Sequence, residues 1–116
     1  MITATKSVMT SYNLLNGTHT SEHRGLIEDI LRSEFGFKGV VMTDWVMTVM
    51  TDSRSVHRNA LSDEVAKAGG ELFMPGNKKD YERVLKALKD GSLSRKQLEV
   101  NASRLIRSID DFYKEK

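Results

Sequence analysis

Gly39-Val40-Val41-Met42-Thr43-Asp44-Trp45 is the stretch on which the reading of this chain turns. From Gly39 to Thr43 it is apolar on both faces, which suits a parallel strand covered by helices rather than a half-solvated antiparallel one. A carboxylate and an indole follow at once. Upstream, Leu26, Ile27, Ile30 and Leu31 fall on one face of a helix expected from about Ser21 to Phe35, and Gly36 stands where a helix C-terminus favours a left-handed residue. Earlier still, Val8-Met9-Thr10-Ser11-Tyr12 carries a strand pattern, and Asn16-Gly17 is a turn signal.

Downstream of Trp45 lies a stretch rich in Thr, Ser and Asp, then a weaker helix around Ser62 to Ala68, broken by Gly69-Gly70. Glu71-Leu72-Phe73-Met74 reads as a third short strand, closed by Pro75-Gly76 at the chain's single proline. Tyr81, Val84, Leu85 and Leu88 mark a helix ending at Gly91. Ser94 and Gln97 make a capping-box pattern that opens a last helix. Leu98, Ala102, Leu105, Ile109 and Phe112 share one face of it. The order strand, helix, strand, helix, strand, helix, helix predicts an α/β fold with a parallel sheet. Three strands are too few to close a barrel, which takes eight strand–helix units.

Composition narrows the classes of function. The 116 residues are 39% hydrophobic and 29% charged, as in a globular domain. Eighteen basic residues nearly match 16 acidic ones, and no Lys/Arg run is interleaved with aromatics, so nucleic acid is not an expected partner. With no cysteine there is neither a disulfide nor a thiolate metal site. No apolar run reaches the roughly 20 residues of a membrane span, so no membrane partner is expected. The N-terminus has no secretory apolar core, which tilts the expectation toward the cytoplasm without fixing it.

Asp44 closes the second strand, and loops after strand C-termini build the active sites of α/β sheets and barrels. A carboxylate followed by an indole suits sugar chemistry: one attacks or stabilises an anomeric carbon, the other packs on a sugar face. Position alone favours the plainer reading, an Asx-turn or helix cap.

Longer strings change the weighting. Met9-x-x-Tyr12-Asn13-x-x-Asn16-Gly17, Ile30-Leu31-Arg32-x-Glu34-Phe35-Gly36-Phe37-x-Gly39 and Val41-Met42-Thr43-Asp44-Trp45 resemble, in order and spacing, family 3 glycoside hydrolases, the β-glucosidase family. Ala68-Gly69-Gly70-Glu71-Leu72-Phe73-Met74-Pro75-Gly76 is similar to a further stretch of that family. The resemblance implies a single fragment, residues 1–116, of a (β/α)8 TIM barrel: about three parallel strand–helix units and a C-terminal helix. It implies that Asp44 is the nucleophile of a retaining β-glycosidase acting through a covalent glycosyl-enzyme, with a β-glycoside as substrate and no cofactor. Trp45 then lines the leaving-group side, and Tyr12 and Met9 lie near the sugar. Read without the family, Tyr12 is a buried strand-end residue, Met9 fills core and Trp45 packs under its loop.

Glu71 departs from the Asp usual in that family. The upstream sugar-binding motifs and the general acid/base are missing from these residues, so the chain alone is expected to be inactive. Its open sheet edges and apolar faces predict a homo-oligomer, or contacts that complete the truncated barrel. Asn13, Asn16 and Gly17 read as turn architecture, Arg32 and Glu34 as helix-surface or ion-pairing residues, and Asp52, Asp63 and Glu64 as surface charges or caps. His19 and His23, at i and i+4, lack a third metal ligand, so no metal site is expected; His57 is the one remaining imidazole. Two alternatives remain: a non-catalytic fragment or paralogue, and a phospho-accepting receiver domain. The receiver lacks its acidic pair after the first strand and its Lys after a late one.

Overall fold

The computed structural model describes residues 5–45 and 58–114. Asp52 and His57 lie outside them. Two strands pair in parallel, β1 (Ser7–Met9) with β4 (Val40–Met42), in the register Ser7–Val40, Val8–Val41, Met9–Met42. The expected third strand is reduced to one parallel bridge between Leu72 and Met42. The segments nevertheless follow chain order across the sheet, with β4 in the middle.

The stretch after β1 differs from the expected continuation of the strand to Tyr12. A small antiparallel ribbon, β2 (Leu14–Leu15) with β3 (Thr18–His19), leaves the sheet there. Asn16 at φ 52° and Gly17 at φ 81° form its two-residue turn, since both central positions of such a turn need positive φ.

The first helix is also more broken than its periodicity suggests. Thr20–Glu22 is a 3-10 turn, and Gly25–Glu34 winds as a π-helix. The wider winding changes which residues face inward. Ile27 is buried and Leu31 packs beside it, whereas Ile30 is exposed. Gly36, at φ 72°, turns the chain back into Phe37 and β4. Ile27, Val41 and Ala68 form one core cluster, joined by Leu31 and Phe37, so the π-helix covers the Val41 face of the sheet.

Helices α1 (Ser62–Lys67), α2 (Lys78–Asp90) and α3 (Arg95–Lys114) complete the chain. Asn77 caps α2 in a reciprocal box with Asp80 (3.0 Å in each direction), and Gly91, at φ 82°, ends it. At the start of α3 the Ser94 hydroxyl accepts from the Gln97 N–H at 3.0 Å. The Gln97 amide turns elsewhere, to Arg24 (3.0 Å) and Asn101 (2.9 Å). Buried Asn101 donates to the Ala66 carbonyl at 3.0 Å, fastening α3 to α1. Ala66, Ala87 and Leu93 form a second cluster with Val84, Leu88 and Leu98.

The apolar face expected on α3 is enclosed only in part, and its Ala102 is exposed. Leu98 and Leu105 are half-buried, while Ile109 and Phe112 are exposed. They border a groove of about 850 Å³ lined also by Ser7, Val40, Met42 and Leu72, on the sheet face away from the π-helix.

Candidate active site

Asp44 stands two residues beyond β4, at the C-terminal edge of the middle strand, and is half-buried. Its Oδ1 accepts the N–H of Trp45 at 2.8 Å, the local turn that short carboxylates make readily. Tyr12 arrives from the loop after β1, and its hydroxyl donates to the Trp45 carbonyl. The Tyr12 phenol is held above its ordinary value, first by desolvation and next by the nearby negative charge of Asp44. It is therefore a neutral donor at neutral pH. The structure thus brings Tyr12, Asp44 and Trp45 together. Tyr12 is partly open and Trp45 is 50% exposed, so neither is a packed core aromatic. Met9, at 54% exposure, is not core filler either; it pairs in register with Met42, two residues before Asp44.

The neighbouring backbone is held from both sides. The Met42 carbonyl accepts from the Thr10 N–H at 2.9 Å and from its hydroxyl at 3.4 Å. Thr43 donates its N–H to the Leu72 carbonyl at 2.9 Å, and its Oγ1 accepts the N–H of Met74 at 2.8 Å.

Toward the other end of β4 lies a buried ionic network. The Glu71 side chain is 0% exposed and that of Arg32 7%. They form a direct ion pair. Glu71 Oε2 also accepts the Val41 N–H at 2.9 Å, while Arg32 donates to the carbonyl of Gly39 at 3.0 Å. Arg104 of α3 binds both Glu28 oxygens, at 2.7 and 3.1 Å, and its Nη1 lies 3.8 Å from Glu71. Burial pushes the Glu71 carboxyl up, against the pull of Val41 N–H and the two guanidinium groups. Burial likewise pulls the Arg32 guanidinium down, against the attraction of Glu71.

The histidines are engaged separately. His23 Nδ1 accepts the Leu26 N–H at 3.0 Å, and His19 Nε2 donates to the Arg58 carbonyl at 2.6 Å. Among the described residues no group of three or more His, Asp or Glu side chains could hold a metal. No described helix is long and apolar enough to cross a membrane.

The family model described as glycosyl hydrolase family 3 N terminal domain matches residues 2–108. The chain belongs to glycosyl hydrolase family 3. A β-glucosidase of Rhizobium radiobacter is 39% identical over 106 residues, which are 90% of this chain and 12% of that protein. An exo-α-(1→6)-L-arabinopyranosidase of Bifidobacterium breve is 33% identical over 91% of this chain and 14% of its own length. Among solved structures, β-glucosidase 3B of Thermotoga neapolitana in complex with glucose superposes with a TM-score of 0.74 at 33% identity, covering 90% of this chain and 14% of that one. The chain therefore spans about an eighth of the length of these family 3 relatives, and its α/β fold is similar to theirs.

The sequence names Tyr12, Asp44 and Trp45, which the structure brings together, but gives no sign of Thr10 and Thr43, whose bonds hold the backbone before Asp44. Strand-end threonines carry no signal of their own partners. The reading of Arg32 as ion-paired is met, though in the interior rather than on the surface, while Glu34 is exposed. Asp63 and Glu64 occupy the first turn of α1, and both reach Lys67, at 3.7 and 2.8 Å. Asp63 is largely enclosed rather than a surface charge, with a side chain 14% exposed.

Proposed function

We propose that these residues form the nucleophile-bearing part of the barrel of a retaining β-glycosidase that hydrolyses terminal β-glycosidic bonds. The observation that carries this reading is the convergence of Tyr12, Asp44 and Trp45 beyond the C-terminal end of the middle parallel strand. An Asp44 carboxylate oxygen attacks the anomeric carbon as the bond to the leaving oxygen breaks, giving a glycosyl ester and an alcohol. Water then attacks the same carbon and gives its proton to the conjugate base of the acid that protonated the leaving oxygen, releasing the sugar and restoring the Asp44 carboxylate. Tyr12, protonated and beside Asp44, steadies the loop; exposed Trp45 offers an apolar face to the leaving group; Met9 borders the sugar.

The acid that protonates the leaving oxygen is assigned to residues outside this chain. Such assistance is typically worth about 10²–10⁴-fold, so the 116-residue chain alone is expected to be inactive to at least that degree. The edges of the three-segment sheet and the α3 groove are then surfaces that meet the remainder of a barrel, or a second copy of the chain. The test is to restore the upstream barrel segment and any later domain of the same gene, then assay aryl β-glucosides with and without Asp44→Asn. An active parent with an inactive Asn variant supports the assignment; equal activity of the two contradicts it.

A further inference from the structure

We propose that Thr43 is a positioning residue for Asp44, acting through a hydroxyl that ties the end of β4 to the loop after the third strand segment. The inference rests on the reading of Asp44 as nucleophile. Thr43 is 1% exposed, although the next two side chains open toward solvent. Its N–H donates to Leu72 and its Oγ1 accepts from Met74, so one residue holds two points of the neighbouring segment, at 2.9 and 2.8 Å. From the opposite side Thr10 holds the Met42 carbonyl, at 2.9 Å through its N–H. The Met42–Thr43 peptide, one residue before Asp44, is therefore held from both flanking segments, through its carbonyl by Thr10 and through its N–H by Leu72. Beyond Asp44, the Trp45 N–H goes to Asp44 Oδ1 and the Trp45 carbonyl to the Tyr12 hydroxyl.

Thr43 touches no substrate in this scheme; it determines where the Asp44 backbone sits. A valine there keeps the shape and the strand preference but leaves the Met74 N–H without this acceptor, in a place where an unmet donor is costly. Leu72 stays bonded to the backbone of β4, but losing the hydroxyl tie frees Met74 and the loop after it to shift against the end of the strand. A displacement of about 1 Å at a reacting group can cost about 100-fold in rate.

The test uses the restored family 3 protein described above, with Thr43→Val, Thr43→Ala and Thr43→Ser. For Val and Ala, kcat on an aryl β-glucoside is expected to fall about 10- to 100-fold with KM changed less than about threefold; Ser, which keeps the hydroxyl, should stay within about threefold of the parent. In the 116-residue chain, exchange of the Met74 amide should accelerate about tenfold in Thr43→Ala and remain near the parent rate in Thr43→Ser. If the Val variant does not fold, the Ala and Ser pair decides. Equal kcat for Ala and Ser overturns the proposal. The two readings separate through Asp44→Asn: if that variant is inactive while Thr43→Ala turns over like the parent, only the positioning role fails. If Asp44→Asn retains parental activity, the nucleophile reading fails and the positioning role with it.

Discussion

Toward the N-terminal end of β4, Arg32 and Glu71 are sealed from solvent and share their hydrogen bonds with Val41, Gly39 and, through Arg104 and Glu28, with α3. Beyond the C-terminal end of the same strand, Asp44, Tyr12 and Trp45 stand partly open, with one local turn and one hydroxyl contact between them. Charges enclosed without solvent raise the stakes of folding, because losing one partner strands the other. Charges at a half-open rim can be exchanged with little effect on folding and a large effect on chemistry. In barrel-type sheets this is the usual division, with stability at the N-terminal face and reaction at the C-terminal face.

The largest expected effect on stability comes from splitting the buried pair. Arg32→Leu leaves the Glu71 carboxylate enclosed without its direct cation and should cost about 3–5 kcal/mol in urea unfolding. A loss no larger than that of a surface substitution would break the contrast between the two ends. Gly69→Ala comes next. Gly69 has φ +93°, and an added methyl would run into the Glu28 side chain that holds Arg104. The left-handed conformation alone should cost about 1–2 kcal/mol, before any displacement of Glu28.

Acidity sharpens the comparison through Glu71. Its folded-state value is raised by burial, so its contribution to stability is complete below the unfolded value near 4.5 and is lost as pH climbs through the folded value. Unfolding of the parent and of Glu71→Gln, followed from pH 4 to 8, should show the parent losing ground to the variant as pH rises. A gap that moves the other way would mean that Arg32 and Arg104 outweigh desolvation. The smallest effect belongs to the exposed Lys114–Asp110 pair at 2.9 Å, where Asp110→Asn should change stability by less than about 0.5 kcal/mol.

How much of this was legible in the sequence depends on the range of the interaction. Asn16-Gly17, Gly36 and Gly91 act through their own backbone, and each takes the left-handed conformation that the turn or helix end required. Val40 to Met42 carry the strand signature locally, and the position of Asp44 follows from where that strand ends. The π winding of Gly25–Glu34 is invisible to a 3.6-residue pattern, which therefore misplaces Ile30. The third strand shrinks to one bridge because the Glu71 side chain occupies the Val41 N–H, while Thr43 spends its hydroxyl on Met74. Asn77 and Asp80, three residues apart, carry a cap pattern that is local and legible in the sequence itself. Partners 30 or more residues away, such as Glu71 for Val41 or Arg104 for Glu28, leave no trace in local periodicity.

The central claim is that Asp44 attacks the sugar. It is tested most directly by incubating the restored family 3 protein with an activated 2-deoxy-2-fluoro-β-glucoside, whose fluorine slows hydrolysis of the glycosyl ester, and mapping the adduct by peptide mass spectrometry. The account predicts one fluoroglycosyl group per protein, on the peptide containing Asp44, and none in Asp44→Asn. A label of the same stoichiometry on any other carboxylate would contradict it.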